Sequence, residues 1–330
     1  MNAVHTPVLL QECLALLSPL GEPYEQDAYM IDSTLGEGGH SFAFLSAYSG
    51  LSVTGVDADS CIQAAAKERL AAFGGRISFC SGWFDDFFRD YPDSARRPDI
   101  ILFDLGISVF HYERSGRGFS FRHEEPLDMR LRSQSGRSAG DIVNGSPEED
   151  LAGILYAYGE ERYSRRIAAA ISSARRGGRI ESSKALADII YEAVPARYRH
   201  GAIHPATRSF QALRIAVNEE LRRLPQALAD SFDVLAVGGK MGVITFHSLE
   251  DRIVKRYFRG LGMQCVCPPE RAECACGGRP CAELLTRRPV VPAVAEVADN
   301  PPSRSAKLRV VRKIGIVSPQ RKADMMMEGI

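Results

Sequence analysis

Residues Tyr29 to His40 read YMIDSTLGEGGH, and about 20 residues further on a second apolar run, LSVTGVDAD, ends at Asp57. An apolar strand running into glycines, then a helical pattern, then a strand ending in an acid is how a parallel α/β sheet binds an adenosine-containing cofactor. Gly36, Gly38 and Gly39 lack a Cβ, so they can take positive φ and let backbone approach a ligand. Asp57 can accept hydrogen bonds from both ribose hydroxyls. The spacing is not GxGxxG, and a glycine turn also serves as a plain strand-to-helix connection. The acid tips the reading toward adenosine.

Ligands of open α/β sheets sit beyond the carboxyl ends of the strands. Two further loops should therefore converge on the glycine turn: SGWFDDF after Ser81, and Asp104-Leu105-Gly106 after the run DIILFDL. Trp83 and Phe84 either offer an aromatic face to an adenine or pack into the core. Asp104 stands where a carboxylate can touch both cofactor and substrate; the plainer reading is an acid that caps the next loop. TFHSLEDRIVKRYF follows another apolar strand, KMGVITF, and puts His247 and Ser248 at its carboxyl end. His247 is open to three readings: a catalytic base, a contact to a nucleobase, or a satisfied structural residue. Asp104 first and His247 second are the candidate catalytic groups.

Strand-like runs at Tyr29–Ser33, Val53–Asp57, Ile77–Ser81 and Asp99–Leu105 alternate with helical patterns, which implies a parallel sheet covered on both faces. The alternation then breaks. From Gly106 to about Pro205 a polar, glycine-bearing loop precedes helices striped by Leu151, Ile154, Leu155 and Tyr158, by Ile167, Ala168 and Ile171, and by Leu186, Ile189, Ile190 and Val194. Ser146-Pro147-Glu148-Glu149 has the form of a capping box. After a helix from Thr207, KMGVITF and SAKLRVVRKI supply later strands. The expected architecture is a doubly wound sheet, residues 1–108 and 207–330, interrupted after its fourth strand by a helical insert at 109–206.

The 330 residues carry no net charge, but the charge is unevenly spread. Residues 1–108 hold 6 Lys/Arg against 15 Asp/Glu, residues 109–206 hold 15 against 13, and residues 207–330 hold 20 against 13. The basic later part hints at a polyanionic partner. Within Tyr112–Arg132, Arg114, Arg117, Arg122, Arg130 and Arg132 interleave with Phe119 and Phe121, a pattern that suits phosphates and unstacked bases unless the phenylalanines pack inward. Arg162, Arg165 and Arg166 recur at helical spacing in the insert. No apolar run approaches the roughly 18 residues that span a bilayer, and the first segment, interrupted by Glu12, reads as an amphipathic helix. No membrane partner and a cytoplasmic location are the expectation.

Five of the eight cysteines crowd into CVCPPERAECACGGRPC: Cys265, Cys267, Cys274, Cys276 and Cys281. In a cytoplasmic chain such crowding suggests metal before disulfides. Four thiolates could close a structural zinc site and leave one cysteine spare, although C-x-C is tighter than the commoner C-x₂-C. The catalytic chemistry is expected to need no metal.

HTPVLLQE, DSTLGEGGHS, DLGIS, RGFSFR, PLDMRL, AYGEER, HPATRSFQALRIAVNEEL, FHSLEDRIVKRYF and SRSAKLRV together resemble, in order and spacing, the bacterial RsmH (MraW) family. The resemblance spans nearly the whole chain. It implies a class I S-adenosylmethionine-dependent methyltransferase, a Rossmann-like doubly wound sheet with an inserted RNA-binding helical domain. It further implies methylation of the exocyclic N4 amine of a cytidine in the decoding region of 16S ribosomal RNA, in the small ribosomal subunit. The cofactor contacts it implies fall on Gly38, Gly39, His40, Asp57, Phe84, Asp104 and His111. The family usually continues DLG with V-S-S-P-Q, whereas this chain reads Ile107-Ser108-Val109-Phe110-His111, so histidine stands where glutamine is usual.

A cytosine amine is a poor nucleophile because its lone pair is delocalised into the ring, so an acceptor for its N–H and close positioning are needed. Two other readings of the same residues are an NAD-dependent oxidoreductase, which would share the glycine turn and ribose acid, and a non-enzymatic ribosome-assembly factor. The sequence leaves the oligomeric state open, a homodimer included.

Overall fold

The computed structural model describes residues 6–19, 27–133, 136–201 and 203–327, in two compact units. One unit joins the chain up to Gly106 with the chain from Leu221 onward; the other is Ile107–Glu220. The first is built on a seven-stranded sheet: β1 (Ala28–Asp32), β2 (Leu51–Asp57), β3 (Ile77–Ser81), β4 (Ile100–Asp104), β5 (Lys240–Thr245), β6 (Ala282–Leu284) and β7 (Lys307–Lys313). The order is β3-β2-β1-β4-β5-β7-β6. Strands β1 to β5 pair in parallel, β7 is antiparallel to β5, and β6 is antiparallel to β7, so β6 again points with β5. This is a doubly wound α/β sheet, as the alternation of strands and helices implied.

Continuous apolar strands produce it because both faces are covered. Ile31, Val56, Ile101, Phe103 and Val243 meet Leu228, Phe232, Val254 and Phe258 on one side. Met30, Val53, Ile100, Leu102 and Ile244 meet Phe44, Leu45, Ala66 and Leu70 on the other. Burying each such side chain contributes roughly 1.5–3 kcal/mol, which fixes which residue faces which layer. Strand β6 has only three residues, too few to show an alternation in the sequence, and it was not expected there.

The second unit is helical, with Leu151, Leu155, Ile167, Ile171, Leu186 and Ile190 in one core. Its last long helix, Ala206–Asn218, buries Phe210, Ala212 and Leu213 in that same core. The compact unit therefore runs to Glu220, where the sequence pattern suggested an insert ending at 206. Arg214 pairs with Glu220 through two 2.9 Å hydrogen bonds and fastens that end. The capping box expected at Ser146 does not form. The helix Glu148–Gly159 starts after Pro147 with no side-chain cap, while buried Ser146 closes the preceding helix, Ala139–Gly145. Among the described residues no helix is long and apolar enough to cross a membrane.

Candidate cofactor and catalytic site

Three parallel neighbours, β2, β1 and β4, each end in an aspartate. The register sets Asp32 opposite Gly55 and Leu102, Asp57 opposite Ser81, and Asp104 opposite Ile244. Parallel pairing thus brings Asp32, Asp57 and Asp104 to one edge of the sheet, beneath the glycine turn that follows β1.

Asp57 holds that turn. One carboxylate oxygen accepts the Gly36 N–H at 2.8 Å and the other accepts the Asp59 N–H at 2.8 Å. The carboxylate is half-buried at the end of β2, beside the glycine turn. Gly36 and Gly38 take positive φ, 54° and 75°; Gly39 does not. Gly39 is required for space instead, because a Cβ there would come within 2.5 Å of Pro7 Cγ. Gly38 caps the helix Gly39–Ala47 with no side chain of its own, and the Ser41 N–H of the first turn donates to the Asp32 carboxylate. His40, in that first turn, is buried and donates from Nε2 to Val8 O at 3.0 Å.

Asp104 has an unspent acceptor. Its backbone N–H donates to Thr34 Oγ1 at 2.6 Å, and Oδ2 lies 3.5 Å from His40 Nδ1. Oδ1 is shut off from solvent with no hydrogen-bond partner among the described residues, although a quarter of the side chain faces open space. Burial, then the neighbouring charges of Asp32 and Glu250, push the Asp104 carboxyl up to about 8. Burial also lifts Asp32 to about 6, against the pull of the Ser41 hydroxyl that donates to it at 2.7 Å. A buried acid with an orphaned oxygen calls for an N–H donor or a cation.

The other expected residues are placed as follows. Phe84 opens the helix Phe84–Arg89 after β3, half-buried, its ring edge-on to Phe103 at 5.6 Å. The guanidinium of Arg223 lies 4.5 Å from the Trp83 ring centre and bonds Asp85 at 2.9 Å, so one face of the indole is already covered. Of the two aromatics, Phe84 is the better adenine platform. His247 caps the helix Ser248–Gly262 at the end of β5: it accepts the Glu250 N–H at 3.4 Å, and Nε2 lies 3.1 Å from Glu250 Oε1. Glu250, 2% exposed, returns the contact by accepting the His247 N–H at 3.4 Å, and it also accepts the Phe246 N–H at 2.9 Å.

His111 belongs to the second unit. It is buried in the short helix Val109–Glu113, where Nδ1 accepts the Ser108 N–H at 3.1 Å and the ring meets Phe119 edge-on at 5.4 Å. Phe119 is 4% exposed and Phe121 packs against Phe210 and His204, so the two phenylalanines build the core of their unit and do not present faces to bases. Several arginines of this unit are tied down: Arg117 to the Arg130 and Leu131 carbonyls, Arg130 to Asp128, Arg175 to Val143 O, and Arg179 to Asp141. Arg122, Arg132, Arg165, Arg166 and Arg197 are exposed and carry no ion pair among the described residues.

Asp32, Thr34 and Glu250 were not singled out from the sequence. Asp32 and Thr34 stand inside the opening motif, and the acid before the glycines was the available signal. Glu250 had none, because its role depends on helix capping three residues after His247.

The model of the MraW methylase family matches residues 2–314. A protein of Treponema denticola named ribosomal RNA small subunit methyltransferase H is 58% identical over 314 residues, 95% of this chain and 98% of that one. A Treponema pallidum protein of the same name is 44% identical, over 94% of this chain and 92% of that one. The solved structure of an rRNA methylase from Streptococcus thermophilus superposes with a TM-score of 0.41 at 10% identity, over 92% of this chain and 93% of that one.

Proposed function

We propose, since this chain belongs to the MraW methylase family, that it transfers the methyl group of S-adenosylmethionine to the exocyclic N4 amine of a cytidine in the decoding region of 16S ribosomal RNA. Membership sets aside the oxidoreductase and the non-enzymatic assembly factor. The observation that carries the mechanism is Asp104, a buried acid with one unpartnered oxygen at the carboxyl end of β4.

The residues fit the cofactor. Gly38, Gly39 and His40 open a helix directly after β1, Asp57 suits the ribose hydroxyls, Phe84 an adenine face, and Asp104 a nitrogen donor. When bound, the sulfonium supplies an electrophilic methyl. Asp104 then accepts an N–H of the cytidine amine, holds the nitrogen so that its lone pair turns out of the ring plane, and takes up the proton released as the N–C bond forms. His247 acts through Glu250, by keeping the start of its helix fixed beside β4 and β5. The substrate is the small-subunit RNA in the cytoplasm, gripped in part by the exposed arginines of the helical unit.

Two results should follow. Asp104 titrates near 8 in the free protein, and a cationic ligand favours its carboxylate, so binding must expel a proton below that pH. Affinity for S-adenosylmethionine should therefore tighten by about tenfold in all as pH rises toward 8, and level off above 8. Calorimetry in two buffers of different ionisation enthalpy measures the proton directly, and Asp104→Asn should flatten the profile. Changing Arg165 and Arg166 together to Ser should weaken RNA binding and lower the slope of log K against log salt by roughly 1.4–1.8, with cofactor affinity unchanged. An unaltered salt slope would remove this pair from the RNA-facing surface.

A further inference from the structure

The loop between the helix Ser248–Gly262 and β6 has no bearing on methyl transfer, yet it gathers four of the five crowded cysteines. The sulfurs of Cys265, Cys267, Cys274 and Cys276 all lie within 4.8 Å of one another. Three of the separations are 3.7 Å (Cys265–Cys274), 3.5 Å (Cys274–Cys276) and 3.6 Å (Cys276–Cys265). A tetrahedron of thiolates around zinc, with Zn–S near 2.3 Å, has an edge of about 3.8 Å. A disulfide would need about 2.05 Å and would join sulfurs in pairs, not as a four-way cluster.

The surroundings suit a metal thiolate. Four thiolates around a divalent ion leave two negative charges, and the Arg271 guanidinium lies 3.8 Å from Cys267 Sγ, held there by Asp324 at 3.0 Å. The Val266 N–H donates to Cys276 Sγ at 3.4 Å. Gly277 and Gly278 follow the second C-x-C with φ of 93° and 63°, a reversal that residues with a Cβ resist. The fifth cysteine is spent elsewhere: Cys281 is buried in the core and contacts Ile316 O at 3.4 Å. Apart from Val266, Cys276 and Cys281, residues 264–281 bury little and form no helix or strand, so the loop has few means of its own to stay ordered.

We propose that Cys265, Cys267, Cys274 and Cys276 bind one structural zinc ion. All-sulfur tetrahedral donors select zinc or iron, and a lone tetrahedral site with no redox task is the structural zinc case. The ion pins the loop to the carboxyl-terminal helix Pro319–Met327. That helix and the residue before it already reach into the loop: fully buried Arg321 donates to Gly260 O and Arg279 O at 2.8 Å and to Met263 O, and Ser318 Oγ donates to Cys276 O at 3.3 Å. Topology keeps the ion away from the chemistry. Because β6 runs with β5, the loop entering it lies beyond the amino ends of the parallel strands, and the aspartates lie at the carboxyl ends. Strand β6 is also four strand spacings from β1, roughly 20 Å.

The test is elemental analysis of the full chain purified without a histidine tag, with trypsin as a probe of the loop. About one zinc per chain is expected, falling below about 0.2 in Cys265→Ser and in Cys274→Ser but not in Cys61→Ser, whose exposed thiol lies outside the cluster. Chelation should speed the tryptic cut after Arg271 by at least about tenfold, and added zinc should reverse it. Less than about 0.2 zinc in the unaltered protein, with Cys265 and Cys274 reacting as fast as Cys61, would overturn the site, and that result does not depend on whether a variant folds. Iron at one per chain in place of zinc would overturn the assignment of the metal.

Discussion

Asp104→Asn should reduce single-turnover methyl transfer by at least about 100-fold while weakening S-adenosylmethionine binding by no more than about tenfold. The asymmetry follows from the two tasks given to the carboxylate. Asparagine keeps the volume, the backbone bond to Thr34 and one acceptor oxygen, so the pocket and part of the cofactor contact survive. It loses the charge that steadies the amine as positive charge develops, and it cannot take up the departing proton. Equal losses in rate and affinity would reduce Asp104 to a cofactor ligand.

Unfolding cannot mimic this outcome, and the sign of the linkage says why. The Asp104 pKa is raised from its ordinary 3.8 to about 8 in the folded chain. Its contribution to stability is therefore fully present below pH 4 and is lost as pH rises through 8. At neutral pH the folded chain must hold this acid protonated, and at alkaline pH it must bury the charge; both cost stability relative to the unfolded chain, so Asn should leave the melting temperature unchanged or raise it. A variant that is slower, equally folded and no longer steep in its pH dependence points to chemistry.

What could be read in the sequence follows the length and purity of each signal. Strands β1, β4 and β5 are almost wholly apolar and stood out, as did Asp57 and Asp104 at strand ends, because parallel pairing leaves few places for an acid to go. Strand β6 has three residues beside the cysteine loop, below the length at which alternation means anything. Phe119 and Phe121 looked like base-stacking residues because they alternate with arginines, but local sequence does not show which way a side chain points in a loop. The core of the helical unit claimed them. The same tertiary packing moved the end of that unit from 206 to 220, since a helix of either layer has the same 3.6-residue stripe. His247 is an N-cap, where its ring nitrogen does the work usually given to serine or aspartate, and His111 stands three residues after the cap Ser108, where a capping box usually has glutamate or glutamine. Histidine is rarely read in either place, so the sequence did not show these capping bonds.

Asp57→Ala should weaken S-adenosylmethionine binding by roughly 1.5–3 kcal/mol, about 10- to 150-fold in the dissociation constant. Two losses combine. The charge-assisted acceptors for the ribose hydroxyls disappear, and the bonds that tie the Gly36 and Asp59 N–H groups to the end of β2 go with them, so the glycine turn is no longer held in its binding shape. Asp57→Asn separates the two. It retains one acceptor oxygen and nearly the same shape, but its amide cannot satisfy both backbone donors and both hydroxyls. It should fall between the native chain and Ala in affinity. Calorimetry with S-adenosylmethionine and with S-adenosylhomocysteine, which share the ribose, should show the same loss for both ligands, since Asp57 is assigned to the sugar and not to the sulfonium. An unchanged dissociation constant in Asp57→Ala, with the fold intact, would leave Asp57 as a tie for the turn and nothing more.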